Sequence, residues 1–442
     1  MPDDAPDVPA APQAVAGAVP AADGGGGDDH WFASARFGLF IHWGMYSNKG
    51  LEPSWPLVGG FPAFPFGQKL NPTEYYDGAE SWVPPEGAPR EWIRAAKACG
   101  MRYAVLTTKH HDGFALFDSP HSDFGVSRNA PGRDLVREYV DACRAEGLRV
   151  GFYFSLSDWH HPDYPAFTES MQPYPFITYP RAEPEQWARF LADLRGQLDH
   201  LLTDYGEIAT LWFDGGWERS AGEWQARELE AFIRERQPGI VINDRLPGVK
   251  DYESPEQSLP VEPIDGWWEM CLTMNHSWGP VAADHSYKSV RYLLSILAEV
   301  AAGGGNLLLN VSPDGEGHLL DWQRERLEGI AAWMDRHSAA IFDTGPGLEP
   351  GHFYGPSTRR GSTLYLLCPM RPVEVVTVRS IPGRTIESIR ALGTGTELKF
   401  ELRLTALDRI LGSGDLCDVV IRVPDEACDD LMTVFEVTYA SS

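Results

Sequence analysis

The sequence predicts a (β/α)8-type, TIM-like barrel followed by a C-terminal β-sandwich. Short apolar runs typical of buried strands alternate with helix-like segments over most of the chain, an order that implies parallel strands joined by helical crossovers. The C-terminal part instead shows short runs of alternating polarity separated by Gly, Pro and Asp turns, which is typical of antiparallel sheets. We therefore divide the chain into a leader (1–28), a barrel domain (29–345) and a β-sandwich domain (346–442).

The leader is rich in Ala, Pro, Asp and Gly, a composition that predicts disorder. It has neither the basic start nor the unbroken apolar core of a signal peptide, so we expect a cytoplasmic protein, with export left open. No later segment is long and apolar enough to predict a membrane span.

The net charge of −26 argues against nucleic acid or an anionic membrane as a partner, since no block of basic residues offsets it. The six cysteines lie far apart without a CxxC pair, so the sequence signals neither a zinc site nor a disulfide framework. The sequence leaves open whether the chain forms a homo-oligomer.

Seven strands and five helices are predicted in the barrel. A doubly wound sheet is the alternative, but the glycine cluster at 303–305 precedes a strand where a dinucleotide-binding loop would follow one. One barrel strand is therefore expected to be irregular or undetected. The predicted strands are 37–41, 103–108, 150–154, 208–213, 239–242, 268–272 and 306–311, and the predicted helices are 90–99, 133–146, 183–205, 223–237 and 287–302.

Polar side chains follow most of these strands. The carboxyl ends of parallel barrel strands converge on one face, so residues that are distant in sequence are expected to share one pocket. Asp214 is the most informative of them, because it ends an apolar run and is followed by two glycines that leave room for a ligand. An aspartate that caps a helix or forms a turn is the alternative. The other polar strand ends are His42, His110 with His111, Asn243 to Arg245, and Asn310.

Tryptophans cluster near the same strand ends. An indole face stacks on the C–H face of a sugar ring, while sugar hydroxyls need His, Asn, Asp, Glu and Arg partners. Core packing is the alternative for any single tryptophan, but the set predicts a carbohydrate site. Its members are Trp43, Trp55, Trp159, Trp212, Trp217, Trp267, Trp268 and Trp278.

With these residues in view, the chain resembles the α-L-fucosidases of glycoside hydrolase family 29. The resemblance implies a catalytic barrel with a β-sandwich, no metal or other cofactor, and exo-acting hydrolysis of terminal α-L-fucosides with retention. A fucosylated oligosaccharide or glycoconjugate is the implied substrate. The matching segments are FGLFIHWGMYS (37–47), YAVLTTKHHDGFALFDSPHSDF (103–124), GFYFSLSDWHHP (151–162), LWFDGG (211–216), INDR (242–245), DYESPEQ (251–257), WEMC (268–271), SWG (277–279) and GGNLLLNVSPDGEG (304–317).

A retaining glycosidase uses one carboxylate as nucleophile and a second carboxyl group as acid and then base. The resemblance implies that Asp214 is the nucleophile. It places the acid/base in a variable loop, where we favour Glu256 and keep Glu269 as the alternative. Glu253 is interpreted as a solvated neighbour of Glu256.

The resemblance also implies a set of residues that bind the sugar. A His-His-Asp run taken alone could indicate a metal site, but neighbouring side chains point in opposite directions from an extended strand end, so we predict no metal. The implied binding residues are His42, His110, His111, Tyr153, Trp212, Arg245, Glu269 and Trp278.

One departure from the family weakens the assignment of Glu52 to a sugar hydroxyl. Relatives often carry an adjacent Glu-Trp pair after the first strand, whereas Pro53 and Ser54 separate Glu52 from Trp55 in this chain.

The predicted site residues are also compatible with a catalytically silent fucose-binding protein. A glycosidase for a related sugar such as L-galactose is also compatible, because an apolar contact at C6 rejects an added hydroxyl poorly.

Overall fold

Eight parallel strands close into a barrel in a computed structural model of the chain, which describes residues 30–59, 68–165, 179–404, 410 and 416–440. The strand order is β5-β4-β3-β2-β1-β8-β7-β6, and a single parallel bridge between Asn243 and Tyr252 joins the two ends of this sheet. The predicted barrel is confirmed, while the leader lies outside the described residues. The strands are β1 (Phe37–Ile41), β2 (Tyr103–Lys109), β3 (Arg149–Ser155), β4 (Thr210–Asp214), β5 (Val241–Ile242), β6 (Tyr252–Glu253), β7 (Trp267–Thr273) and β8 (Asn306–Val311).

The undetected strand is β6. It has only two residues, Tyr252–Glu253, and β5 has only Val241–Ile242 rather than the four residues predicted. A two-residue strand is too short to produce a readable alternation of polarity, so the sequence pattern could not show it. These short strands leave room for the loop between β5 and β6, which carries Arg245, and for the segment after β6, which carries Glu256.

Helices surround the barrel, and their ends follow ordinary signals. Pro184 occupies the first turn of the longest described helix, and Gly147 ends another in the left-handed conformation, with φ of 73°. None of the described helices combines the length and apolar character required to cross a bilayer. The α-helices are α1 (Trp31–Ala35), α2 (Pro72–Tyr76), α3 (Pro89–Ala98), α4 (Val126–Asn129), α5 (Leu135–Glu146), α6 (Pro184–Thr203), α7 (Ala226–Arg236), α8 (Val290–Ala302) and α9 (Asp321–His337).

Aromatic side chains fill the interior of the barrel. Phe40, Tyr153 and Trp212 belong to one buried cluster that is separate from the larger apolar layer between strands and helices. Phe32 of α1 belongs to the same interior cluster, and its ring lies 4.5 Å from that of Tyr252. The barrel is therefore a packed support rather than a pore, and aromatic rings lie directly beneath its carboxyl-terminal end.

Two antiparallel sheets follow the barrel, as the sequence predicted. A five-stranded sheet (β13-β16-β11-β10-β9) and a three-stranded sheet (β12-β15-β14) share one apolar core. Trp333 of α9 is buried and donates its indole N–H to the Met432 carbonyl at 2.8 Å, so this part of the chain packs on the barrel helices. The exact boundary after residue 345 stays a prediction. The strands are β9 (Gly345–Pro346), β10 (Ser357–Arg360), β11 (Thr363–Cys368), β12 (Val375–Ile381), β13 (Ile386–Ala391), β14 (Phe400–Arg403), β15 (Cys417–Arg422) and β16 (Thr433–Tyr439).

The Asn243 side chain extends the pairing of β4 where β5 stops. Its Oδ1 accepts the Phe213 N–H at 2.8 Å, and its Nδ2 donates to the Phe213 carbonyl at 2.9 Å. The side chain thus makes the two hydrogen bonds that a neighbouring strand would make. Because Phe213 immediately precedes Asp214, this contact fixes the direction in which the Asp214 carboxylate leaves the strand.

Replacing Asn243 should destabilise the barrel. Asn243→Ala leaves the buried N–H and carbonyl of Phe213 without partners, which should lower the free energy of unfolding by about 2–4 kcal/mol. Urea denaturation followed by tryptophan fluorescence measures this loss, with the exposed Asn48→Ala as the control. Equal stability of the two variants would contradict a structural role for the Asn243 amide.

Candidate active site

The carboxyl-terminal end of the barrel opens into a cavity of about 410 Å3, within the usual size range of small-ligand pockets. Eight of the ten residues predicted to form the site line this cavity, and His111 and Glu269 do not. The lining residues are Phe40, His42, Trp55, His110, Tyr153, Tyr179, Trp212, Asp214, Trp217, Arg245, Glu256 and Trp278.

Asp214 is the last residue of β4 and points its carboxylate into the cavity. The Tyr153 hydroxyl donates to its Oδ2 at 2.9 Å, and His111 Nε2 lies 3.6 Å from the same oxygen. Burial raises the pKa of Asp214, whereas Arg245 and the Tyr153 hydroxyl lower it. Gly215 has φ of 73°, and a Cβ there would lie 2.2 Å from the Ser157 hydroxyl, so the glycine after the acid is required by space as well as by backbone conformation.

Glu256 reaches the cavity from the segment after β6. A parallel bridge pairs Glu256 with Cys271 of β7, and the N–H of Gln257 donates to the Cys271 carbonyl at 2.9 Å. Burial raises the pKa of Glu256, Arg245 lowers it and Asp214 raises it further. The side chain nevertheless remains 36% exposed, so it is a carboxyl group with a raised pKa that a ligand in the cavity can contact.

Arg245 connects the two acids. Its Nη2 donates to Glu256 Oε2 at 3.1 Å, and its Nη1 lies 3.9 Å from Asp214 Oδ1. Burial lowers the pKa of Arg245, but the two carboxylates raise it more, so it stays charged. Its Nε and Nη2 donate to the hydroxyl and the carbonyl of Ser254, and the guanidinium lies 5.4 Å from the centre of the Trp212 ring. These contacts fix the cation between the acids.

The histidines at the cavity are neutral. Burial lowers the pKa of His42 and of His111 to about 3, and it lowers the pKa of His110 well below its usual value. His42 Nδ1 lies 2.7 Å from Asn310 Oδ1, which orients the ring towards the cavity. A neutral imidazole offers one donor and one acceptor, which suits hydroxyl groups better than an anion.

The side chains of His110 and His111 converge. The prediction that they point in opposite directions, which was the argument against a metal site, is therefore wrong. The ring centroids of His110 and His111 are 4.3 Å apart, and nitrogen or oxygen atoms of His110, His111 and Asp214 all lie within 4.8 Å of one another. The strand pairing shifts register between Thr107 and Lys109, so the chain is no longer a regular strand where the histidines begin. The Arg245 guanidinium beside Asp214 would oppose a cation at this point, and the absence of a metal stays a prediction.

Glu269 is separated from the cavity by the ring of Trp212. Glu269 is fully buried at β7, where the Tyr103 hydroxyl and the Trp212 indole N–H donate to its two oxygens, the latter at 3.1 Å. Burial raises the pKa of Glu269 to about 7, even though these donors partly oppose the shift. Of the two acids considered for protonation of a ligand, only Glu256 lines the cavity.

Glu52 supports the cavity wall without facing it. Its carboxylate accepts the backbone N–H of Trp278 at 2.9 and 3.1 Å and that of Gly279 at 3.2 Å. A Cβ at Gly279 would lie 2.0 Å from the Leu51 carbonyl, so only glycine permits this close approach of the two segments. Glu52 therefore anchors the loop that carries Trp278.

Sequence reasoning missed several lining residues. Trp55 and Trp217 belonged to the predicted tryptophan cluster but were not assigned to the site. Phe40 could have been inferred from the alternation of side chains along β1, since it lies two residues before His42 and points the same way. Tyr179 lies outside regular secondary structure, and no pattern in the sequence indicates it.

Comparison with known proteins finds relatives that are described as alpha-L-fucosidases. Residues 27–339 match the family model described as alpha-L-fucosidase. Human tissue alpha-L-fucosidase is 30% identical over 400 residues, which cover 84% of this chain and 82% of the human one, and the bovine tissue enzyme is 31% identical over 346 residues, which cover 72% and 69%. The structure of alpha-L-fucosidase isoenzyme 1 from Paenibacillus thiaminolyticus is similar with a TM-score of 0.80 and 36% identity, and the match covers 93% of this chain and 98% of that one.

Glu52 should make the stability of the protein depend on pH. Burial raises its pKa to about 8, and the N–H groups of Trp278 and Gly279 only partly oppose this shift. Between pH 4.5 and 8 the unfolded chain loses the Glu52 proton while the folded chain keeps it, so stability falls as pH rises through this interval. From pH 5 to 8 we expect the wild type to lose at least about 1 kcal/mol more than Glu52→Gln, as measured by urea denaturation. Parallel pH curves for the two proteins would contradict this assignment.

Proposed function

The chain belongs to the alpha-L-fucosidase family, and from this premise we propose that it is a retaining exo-α-L-fucosidase acting on fucosylated oligosaccharides or glycoconjugates. Asp214 is the proposed nucleophile and Glu256 the proposed acid/base. The observation that carries this proposal is that both acids line the same cavity and are joined by Arg245. One cavity thereby contains an anionic oxygen, a protonatable carboxyl and a fixed cation.

The surroundings of Asp214 suit a nucleophile. A retaining glycosidase needs an ionised carboxylate that attacks the anomeric carbon and forms a covalent glycosyl ester. Arg245 and the Tyr153 hydroxyl favour the ionised form, against the effect of burial. In the first step a carboxylate oxygen of Asp214 bonds to C1 as the bond from C1 to the leaving oxygen breaks.

The surroundings of Glu256 suit the acid/base. Burial and the charge of Asp214 both favour its protonated form, so Glu256 can give its proton to the leaving oxygen in the first step. In the second step the Glu256 carboxylate takes a proton from water, whose oxygen attacks C1 and releases Asp214. Glu269 cannot fill this role from beneath Trp212, where both its oxygens accept hydrogen bonds from barrel side chains.

The rest of the cavity suits a neutral deoxyhexose. His42 and His110 offer polar atoms to hydroxyl groups, while Phe40, Trp212 and Trp278 form an apolar surface that can contact the C6 methyl group. The ring of Trp278 lies 4.8 Å from that of His42, so the polar and apolar walls are neighbours. A sugar with both a methyl group and ring hydroxyls satisfies both walls at once.

Removing the nucleophile should abolish hydrolysis and allow chemical rescue. Asp214→Gly should lower kcat/KM for nitrophenyl α-L-fucoside by roughly three orders of magnitude or more, because no group remains to attack C1. Added azide should restore part of the turnover and yield the β-configured fucosyl azide, identified by NMR. Asp265→Gly, which removes an exposed aspartate, is the control and should keep ordinary activity. Ordinary activity in Asp214→Gly would reject the assignment.

The two glutamates should differ in their dependence on the leaving group. Glu256→Gln should slow hydrolysis of a fucosyl disaccharide by about 100-fold or more, because the sugar alkoxide needs a proton to leave. Formation of the covalent intermediate from nitrophenyl fucoside, measured as a pre-steady-state burst, should change much less. Glu269→Gln should affect both substrates equally, since it acts only through Trp212. A leaving-group effect confined to Glu269→Gln would reverse the assignment.

A further inference from the structure

Ser54 has a backbone conformation that is unusual for a residue with a side chain. It is fully buried, with φ of 58° and ψ of −38°, in a region that residues other than glycine rarely occupy. Such strain persists only where the surrounding structure enforces it, and it is common at functional sites. The conformation places the Ser54 hydroxyl between His110 of the cavity and Asp112 behind it.

The hydrogen bonds around the Ser54 hydroxyl show which groups compete for its single proton. Ser54 Oγ accepts the backbone N–H of Asp112 at 2.8 Å, donates to Asp112 Oδ2 at 3.2 Å and lies 2.6 Å from His110 Nδ1. The Tyr75 hydroxyl also donates to Asp112 Oδ2, at 2.8 Å, and itself accepts the Ser54 N–H at 2.7 Å. A serine hydroxyl has one proton, so it can donate to Asp112 or to His110 but not to both.

An ionised Asp112 draws that proton to itself. The pKa of Asp112 is raised to about 6, mainly by burial and to a smaller extent by Asp158, although the N–H of Phe114 and the hydroxyls of Tyr75 and Ser54 oppose the shift. Asp112 is therefore ionised at pH 7.5, and a buried carboxylate is a stronger acceptor than a neutral imidazole. With the Ser54 proton directed to Asp112, the short contact with His110 requires a proton on His110 Nδ1.

We propose that Ser54 and Asp112 are positioning residues that fix His110 with its proton on Nδ1, so that Nε2 faces the sugar as a hydrogen-bond acceptor. This inference rests on the proposed function, because it concerns how the same cavity recognises a deoxyhexose. The ring is also held flat against Tyr153, with centroids 5.2 Å apart and planes inclined by 3°. Tautomer and orientation of His110 are thus both set from outside the cavity.

His42 also carries its proton on Nδ1 and offers Nε2 as an acceptor, but Asn310 fixes this tautomer. Asn310 Nδ2 donates to the Trp278 carbonyl at 3.0 Å, which turns its Oδ1 towards His42 Nδ1 at 2.7 Å. An amide oxygen only accepts, so His42 Nδ1 carries the proton and its Nε2 is the acceptor. The two histidines therefore present acceptors side by side, and two neighbouring sugar hydroxyls must both act as donors.

Histidine side-chain NMR tests the tautomer without requiring turnover. In the full-length, 15N-labelled protein at pH 7.5, the His110 signals, assigned with His110→Gln, should show a protonated Nδ1 and an unprotonated Nε2. In Asp112→Asn, the amide oxygen stays with the Phe114 N–H, and the amide N–H2 donates to Ser54 Oγ in place of the carboxylate. Ser54 must then donate to His110, and the proton should move to Nε2. A protonated Nε2 in the wild type, or no change in Asp112→Asn, would overturn the proposal.

Kinetics test the consequence for the sugar. Ser54→Ala should lower kcat/KM for nitrophenyl fucoside about tenfold, the size of one well-oriented hydrogen bond. Ser54→Gly should lose the same factor although glycine relieves the backbone strain, and the exposed Ser81→Ala should lose nothing. With the deoxy-fucoside that lacks the hydroxyl bound by His110, the Ser54 variants should match the wild type. Equal losses with all monodeoxy substrates, or recovery in Ser54→Gly alone, would show that Ser54 acts only on stability.

Discussion

The contact of the Arg245 guanidinium with the carboxyl groups of Asp214 and Glu256 is the interaction on which the site depends. Removal from water raises the pKa values of both Asp214 and Glu256, which favours the neutral form of each. Arg245 opposes that tendency at both. The carboxyl group at the end of β4 and the carboxyl group in the more open loop can therefore differ in protonation, which is what the proposed double displacement requires.

The polar residues behind the cavity hold this arrangement in place. Asn243 completes the pairing of β4 just before Asp214, Glu52 fastens the Trp278 loop, and Glu269 holds the indole of Trp212 from below. Each of these groups is buried and makes hydrogen bonds with both of its side-chain polar atoms. Their cost in desolvation is visible in the raised pKa values of Glu52 and Glu269. The barrel thus contains buried polar groups, despite their desolvation cost, at positions where they orient a cavity residue.

Charge is confined to the three central groups, and the recognition surface around them is neutral. Burial keeps His42 and His110 uncharged, and aromatic rings supply much of the remaining wall. A neutral sugar meets hydrogen-bond acceptors of fixed polarity, and the aromatic surface accommodates an apolar substituent. The acceptors are fixed by Ser54 and Asn310, which do not line the cavity.

The sequence by itself determined the alternation of strands and helices, and therefore the convergence of His42, His110, Asp214 and Arg245 at one end of a barrel. That inference works because parallel strands must all point the same way once helices connect them. The two-residue strand β6 escaped detection, since a period cannot be read from two positions. The tertiary structure was needed to show that Glu256 lines the cavity while Glu269 lies behind Trp212, that the His110 and His111 rings come together, and that Glu52 does not line the cavity. Those outcomes depend on loop paths and on which side of the Trp212 ring a carboxyl group lies, and neither is encoded in a local pattern of residues.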